Sequence, residues 1–215
     1  NMVGYKGKGV SGWLTLATSY AIRVWLDICE SFKIKTNTEE FNADISALNK
    51  AVNEHLWDGN WYGRGITDDN VVFGIKDDPE GRIFLNPQAW SLLSSAADRE
   101  KEEKLITAVA DELESPYGVE MLNPSFTKMR EDVGRVTQKH PGSAENGSVY
   151  NHAAAFYIYA LYTKGHKDNA YRLIDKMIPG GNDEDLLQRG QLPAFIPNYY
   201  RGAFKQFPRT AGRSS

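Results

Sequence analysis

Trp57-Asp58-Gly59-Asn60-Trp61-Tyr62-Gly63-Arg64 marks the point where a helical pattern stops and a different kind of chain begins. Before it, Phe41, Ile45, Leu48, Val52 and Leu56 recur at helical spacing. Ahead of that stripe, Thr36-Asn37-Thr38-Glu39-Glu40 has the acceptor-then-acid order of a capping box. After the octapeptide the period changes. Tyr62 to Ile66 and Val71 to Ile75 read as two short strands, with Thr67-Asp68-Asp69-Asn70 as the turn between them. Asp58 therefore falls just past a helix C-terminus, on a loop mounted on a rigid element, where binding groups are often found. The segment sets one acid between two indoles, with a tyrosine and an arginine behind. Sugar rings lay their C–H faces on aromatic rings, and a glycosidic bond breaks when a carboxylic acid protonates the departing oxygen. The same spacing also fits a helix ending in an Asp-Gly turn, with both Trp residues packed in a core.

Further helices flank this segment. Trp13, Leu14, Leu16, Ala17, Tyr20, Ala21, Val24, Trp25 and Ile28 give one with a wide buried face. Asn86-Pro87 opens a second over Gln88 to Ala97, and Asp98 to Leu113 is a third, charged one that Pro116 ends. Val149 to Tyr162 and Asp168 to Met177 add two more, and Asp185-Leu186-Leu187 marks a short one. Between them, 116–147 is mostly loop, rich in Gly, Pro, Asn and Ser, and a loop of that length tends to be functional or disordered. Helices arriving in pairs around long loops predict a mainly α fold, a toroid of antiparallel helix hairpins with a small β-hairpin insertion near 61–76. An irregular helical bundle is the alternative.

Composition narrows the function classes. The chain has 215 residues, 41% of them hydrophobic and 12% aromatic, enough for a substantial core. Five Trp and eleven Tyr suit a carbohydrate cleft or a tightly packed helical interior. A net charge of −3 with dispersed Lys and Arg offers no field for nucleic acid or an anionic membrane. No apolar run reaches the roughly 18 residues that a membrane span needs. The single Cys29, among Trp25, Leu26 and Ile28, excludes a disulfide within the chain and favours a reducing, cytoplasmic setting. The chain starts at Asn1 and stops at Ser215 without the look of natural termini, so a piece of a longer polypeptide is expected.

A second cluster, Glu145-Asn146-Gly147-Ser148-Val149-Tyr150-Asn151-His152, lies at the mouth of a predicted helix, whose free N–H groups and dipole suit an anion; His152 could donate to a phosphate there. The competing reading makes Asn146 or Ser148 a helix cap and turns His152 into the core. Metal ligation is not expected, because His55, His140, His152 and His166 lack paired spacing and one Cys cannot build a thiolate site. There is no Gly-rich nucleotide loop after a strand and no serine elbow.

Taken in order, Gly4-Tyr5-Lys6-Gly7-Lys8-Gly9, Trp57 to Arg64, Glu80-Gly81-Arg82-Ile83-Phe84-Leu85-Asn86-Pro87-Gln88, Glu145-Asn146-Gly147 with Tyr150 and His152, and Pro208-Arg209-Thr210-Ala211-Gly212-Arg213-Ser214-Ser215 give a sequence that resembles the inverting glycoside phosphorylases of glycoside hydrolase family 94. That family includes the cellobiose, cellodextrin and chitobiose phosphorylases. The resemblance implies that residues 1–215 are part of a single (α/α)6 catalytic barrel, incomplete here. An N-terminal β-sandwich domain, the first barrel helices and the C-terminal end, with the phosphate loop, would lie outside the chain. It implies Asp58 as general acid, Trp57 and Trp61 beside it at the sugar site, Glu145 and Tyr150 at the acceptor sugar, and His152 on phosphate. Arg64 and Asn146 join the expected substrate-binding set. Inorganic phosphate would be the co-substrate with no further cofactor, a β-linked oligosaccharide the substrate, and a homodimer the assembly of the full-length parent.

The chemistry agrees with that resemblance. An inverting hydrolase needs two carboxylates, about 6.5–9.5 Å apart, one of them to activate water. Phosphate arrives already anionic, so phosphorolysis needs one acid, held protonated by desolvation or neighbouring negative charge. Two alternatives stand beside it: an inverting hydrolase with Glu145 or an Asp of Asp68-Asp69 as base, and a non-catalytic carbohydrate-binding or structural piece.

Overall fold

The computed structural model describes residues 3–178 and 197–204. The short helix read at Asp185-Leu186-Leu187 and the Pro208 to Ser215 motif lie outside the described residues. The fold is mainly α. Helices α1 (Gly12–Ser31), α2 (Thr38–His55), α3 (Leu85–Leu93), α4 (Arg99–Glu112), α5 (Asn151–Thr163) and α6 (Lys167–Met177) form three successive hairpins. α1 packs on α3 and α3 on α5, while α2, α4 and α6 back α1, α3 and α5. The odd helices thus make one layer and the even helices a second behind it, as expected for part of a helix-hairpin toroid.

Local chemistry sets the helix ends. Asn37 caps α2 by accepting from the Glu40 amide, and its own side-chain amide donates to the Glu40 carboxylate at 2.8 Å, a reciprocal cap of the kind the sequence predicts. Asp98 caps α4 through the Lys101 amide. α3 starts two residues before Pro87, earlier than expected; the imino nitrogen falls in the first turn, where amides have no helical partner, and the free Leu85 amide bonds to the Met121 carbonyl at 2.9 Å.

Eight of the nine residues of α3 are buried. Ala89 on α3 and Ala153, Ala154 and Ala160 on α5, all nearly solvent-free, let those two helices approach closely. The core extends through Leu16, Val52, Leu56, Leu92, Leu105, Val109, Tyr157 and Leu173. α1, by contrast, presents an open apolar groove of Leu14, Ala21, Val24, Trp25 and Ile28, with Trp25 43% exposed.

Short strands cap the N-terminal ends of the odd helices. β1 (Val10–Ser11), β2 (Gly65–Ile66) and β3 (Val72–Phe73) form an antiparallel sheet in that order, with Ser11 opposite Gly65 and Gly65 opposite Phe73. The hairpin expected near 61–76 is present, and a strand from just before α1 joins it. β4 (Ile83–Phe84), directly before α3, pairs with β7 (Leu122–Asn123); β5 (Glu114–Ser115) and β6 (Gly118–Val119) form a hairpin; β8 (Val149–Tyr150), directly before α5, pairs with β9 (Tyr199–Tyr200). The 116–147 segment, read as loop, therefore carries strands and a 3-10 turn at Arg135–Gln138.

Tyr62 joins these parts. Fully buried, it donates its backbone N–H to Gln88 Oε1 at 3.0 Å, accepts from Gln88 Nε2 at 2.8 Å, and donates its phenol to Asn53 Oδ1 at 2.9 Å. Gln88, equally buried, spends its remaining amide hydrogen on the Phe84 carbonyl. Replacing Gln88 by Leu leaves the Tyr62 N–H and C=O unpaired in the core. We expect Gln88→Leu to lower the unfolding free energy by about 2–4 kcal/mol, measured by urea titration, whereas a loss below ~0.5 kcal/mol would contradict this pairing as a fold determinant.

Candidate functional site

A cavity of about 320 Å³ opens over the strand-capped ends of the odd helices. That volume lies within the range for small-molecule sites. Val3, Phe73, Phe84 and Met121 form its apolar wall, and Arg64, Arg135, Lys139, Glu145, Tyr150 and Asn198 its polar side. Each polar group is delivered by a different element. Arg64 precedes β2, Arg135 and Lys139 belong to the 3-10 turn and the residue after it, Glu145 sits in a tight turn, and Tyr150 ends β8. Tyr150 accepts at its phenol oxygen from Asn198 Nδ2 at 3.0 Å and stacks parallel to Tyr199 across the β8–β9 pair, with ring centres 6.1 Å apart.

Three of the sequence-predicted residues, Arg64, Glu145 and Tyr150, meet in this cavity. Arg64 is 6% exposed, donates to Ser11 Oγ at 2.8 Å, and its guanidinium carbon lies 5.5 Å from the Trp13 ring centre and 5.9 Å from that of Phe84. Burial pulls its pKa down to about 10, which still leaves it charged near neutrality. Among the described residues no carboxylate lies in ion-pair reach of Arg64, Arg135 or Lys139. Among the described residues the cavity thus offers three cations against one carboxylate, Glu145.

The remaining predicted residues stand elsewhere. Asp58 does not line the cavity. Its Oδ1 accepts from the amides of Asn60 and Trp61, both at 2.9 Å, and its Oδ2 from the amide of Lys76 at 2.9 Å. With both oxygens engaged by backbone amides and no place in the cavity wall, Asp58 anchors the turn after α2. Trp61 is buried with its indole N–H shared between the carbonyls of Gly74 at 3.2 Å and Arg82 at 2.9 Å. Trp57 tilts against Tyr62 at 4.9 Å, with the Lys101 ammonium 5.9 Å from its ring centre on the α4 side. Both indoles are packing and neither reaches the cavity. Asn146 is solvent-free and its amide is wholly engaged with backbone: the Phe126 N–H and C=O, each at 2.8 Å, and the Lys139 carbonyl at 2.7 Å. It holds the 126 and 139 loops together. It is not a helix cap either; α5 begins after Tyr150 with no side-chain cap. His152 is exposed in the first turn of α5, edge-on to Phe156 at 4.9 Å and 6.4 Å from the Tyr150 ring, next to the cavity but not in its wall.

Sequence reasoning missed Arg135 and Lys139. Their signal was two cations four residues apart inside the long loop, obscured by the even spread of Lys and Arg elsewhere. Glu120 was missed as well. It pairs across from Val149 next to Met121 and does not line the cavity. It is 9% exposed, and burial pushes its carboxyl up to about 7. Among the described residues no group of three or more His, Cys, Asp or Glu is placed to hold a metal, and no helix is long and apolar enough to cross a membrane.

Two outcomes follow for the isolated chain. Asp58→Ala should cost about 1–3 kcal/mol of stability, with Asp58→Asn costing less because one acceptor oxygen remains; equal stability of all three proteins would contradict the anchor role. A raised folded pKa means that the unfolded chain releases the Glu120 proton first, near 4.5, while the folded chain keeps it to about 7. Stability from this group is therefore full below pH 4.5 and is lost as pH rises to about 7. Glu120→Gln should flatten the fall in melting temperature between pH 5 and pH 8; an unchanged slope would show that Glu120 does not carry it.

The family model of the Glycosyl hydrolase 94 superfamily, catalytic domain, matches residues 1–195. The chain is 59% identical over 216 aligned positions to a cellobionic acid phosphorylase of Neurospora crassa, which covers 100% of the chain and 27% of that protein. It is 39% identical to a 3-O-beta-D-glucopyranosyl-beta-D-glucuronide phosphorylase of Paenibacillus borealis, over 94% of the chain and 26% of the relative. An N,N'-diacetylchitobiose phosphorylase of Vibrio furnissii is 29% identical over 85% of the chain and 23% of its own length. The chain thus spans about a quarter of the length of these curated relatives.

Proposed function

The chain belongs to the glycosyl hydrolase 94 superfamily, and from that premise we propose that it forms part of an (α/α)6 barrel that phosphorolyses a β-linked disaccharide whose acceptor sugar carries a carboxylate. The observation that carries this reading is the pair Arg135 and Lys139, in the cavity wall with Tyr150 and without acidic partners among the described residues. Two relatives bear on it through their names: one acts on cellobionic acid and the other on a glucuronide, both of them sugar acids. A carboxylate entering this cavity meets charge-assisted donors, and the acceptor hydroxyls meet Glu145 and Tyr150.

In the reaction, a phosphate oxygen forms the new bond at the anomeric carbon from the face opposite the departing oxygen. The glycosidic C–O bond breaks, and the leaving oxygen takes up a proton, giving an α-sugar 1-phosphate and a free sugar acid. Glu145 and the cations hold the leaving sugar, and His152, exposed beside Tyr150, faces the incoming phosphate. The proton donor comes from a part of the barrel other than the Asp58 turn. In the same proposal the open α1 groove is where further barrel helices pack. Hydrolysis is the second reading, and Asp68 does not suit it as a base. Its carboxylate is occupied by backbone amides, which hold it down to about 2.

The test uses the full-length parent. Sugar 1-phosphate should appear from cellobionic acid only when phosphate is present. In the reverse direction gluconate should be preferred to glucose as acceptor. Arg135→Ala and Lys139→Ala should each raise the KM for gluconate by roughly 10–100-fold, the scale of one lost charge-assisted contact of about 1.5–3 kcal/mol, with little change for glucose. Release of free glucose at the same rate without phosphate would overturn phosphorolysis; equal losses with both acceptors would overturn the carboxylate assignment.

A further inference from the structure

Gly4-Tyr5-Lys6-Gly7-Lys8-Gly9 forms a strap that encloses the carboxylate of Asp68. Gly4 and Gly7 take φ of +75° and +70°, the left-handed region open to glycine, and this turns successive amides inward. Asp68 Oδ2 accepts from the Lys6 amide at 2.7 Å, and Oδ1 accepts from the amides of Lys8 at 2.8 Å and Gly9 at 2.9 Å. Such a concave row of N–H groups is an anion-binding nest, and here the anion is a side chain of the same protein. The fit is close: a Cβ on Gly4 would stand 1.9 Å from Asp68 Oδ2, and one on Gly9 would stand 2.2 Å from the Val3 carbonyl oxygen.

Both ends of the strap lead to the cavity. Asp68 sits in the β2–β3 turn, closed by the Thr67 amide on the Val71 carbonyl. Downstream, Ser11 in β1 receives Arg64 Nη1 at 2.8 Å. Upstream, Val3 is 8% exposed, packs with Phe73 and Phe84, and lines the cavity beside Arg64. A six-residue, glycine-rich strap has no core of its own to hold that course. The Lys6–Asp69 ion pair at 2.6 Å is exposed and contributes little.

We propose that Asp68 is a positioning residue, whose carboxylate fills the amide nest of the Gly4–Gly9 strap and so seats Val3 in the wall of the sugar cavity. The proposal rests on the sugar-site reading for its effect on substrate, but not for its effect on the strap. The amides keep the carboxyl ionised, at about 2, so the latch stays set throughout the neutral range.

Two measurements on the full-length parent decide it. In hydrogen–deuterium exchange, amides 5–9 should exchange at least tenfold faster in Asp68→Ala and by a smaller factor in Asp68→Asn. Lys6→Ala removes the surface pair but keeps the backbone donor, and should leave exchange unchanged. In kinetics, Asp68→Ala should raise the KM for the sugar about tenfold with kcat within about twofold. A merely destabilised enzyme would instead lose kcat at constant KM. If Asp68→Ala does not fold, Asp68→Asn, which keeps one acceptor oxygen, carries both readouts. Unchanged exchange in the strap overturns the latch. Faster exchange with an unchanged KM overturns its role at the cavity. If the wild-type parent shows no phosphorolysis, the reading of function fails, and the exchange result still decides the latch.

Discussion

The paired hydrogen bonds between the Gln88 side chain and the Tyr62 backbone hold this structure in register. An amide side chain placed in a solvent-free helix would be costly unless both its ends were satisfied, and Tyr62 satisfies them. Through that contact the segment after α2 is tied to α3, and through its phenol to Asn53 within α2. Asn53 in turn donates to the Ala96 carbonyl, Asn49 to the Ser94 carbonyl, and Ser19 of α1 bonds to Asn49. A short polar network thus fixes α1, α2 and the α3–α4 turn relative to one another inside an otherwise apolar core.

The cavity inherits its geometry from this arrangement. β1, β4 and β8 each run directly into an odd helix, so the loops that carry Arg64, Phe84 and Tyr150 are brought to one end of the layer. The division of labour is that of a scaffold with functional loops: helices supply rigidity, and the connecting segments supply charge and hydrogen-bonding groups. Arg64 shows how a charge is tolerated there. It is desolvated, yet two aromatic faces and the Ser11 hydroxyl surround it, and its fixed charge is oriented before any ligand arrives.

Asp58 and Asp68 show how one residue type serves two architectural ends on neighbouring loops. Both carboxylates are saturated by backbone amides, one to close a turn after α2 and the other to gather a strap at the cavity rim. For Asp68 the amides stabilise the ionised form. A carboxylate so engaged is a structural anion, and the acid of a glycosidic cleavage has to be found where desolvation or like charge opposes ionisation.

The helical hairpins were legible in the sequence because each is a local property: apolar residues at helical spacing, an Asn-x-x-Glu cap, an Asp before α4, a turn at Thr67 to Asn70. The clustering of Arg64, Glu145 and Tyr150 was legible as separate motifs whose order matches a family. What the sequence left undecided was which aromatic and acidic residues face the cavity and which face the core. Asp58 and Trp61 have the composition of a sugar site, yet the Asx turn and the shared indole hydrogen bond commit them to the scaffold. Arg135 and Lys139 carry only a faint local signature, two cations four residues apart in a chain where Lys and Arg are spread throughout. Side-chain direction at these positions depends on which loop packs against which helix, and those contacts join residues tens of positions apart. Periodicity and capping are short-range and can be read from the chain; the facing of a loop side chain is a long-range packing outcome that only the folded structure decides.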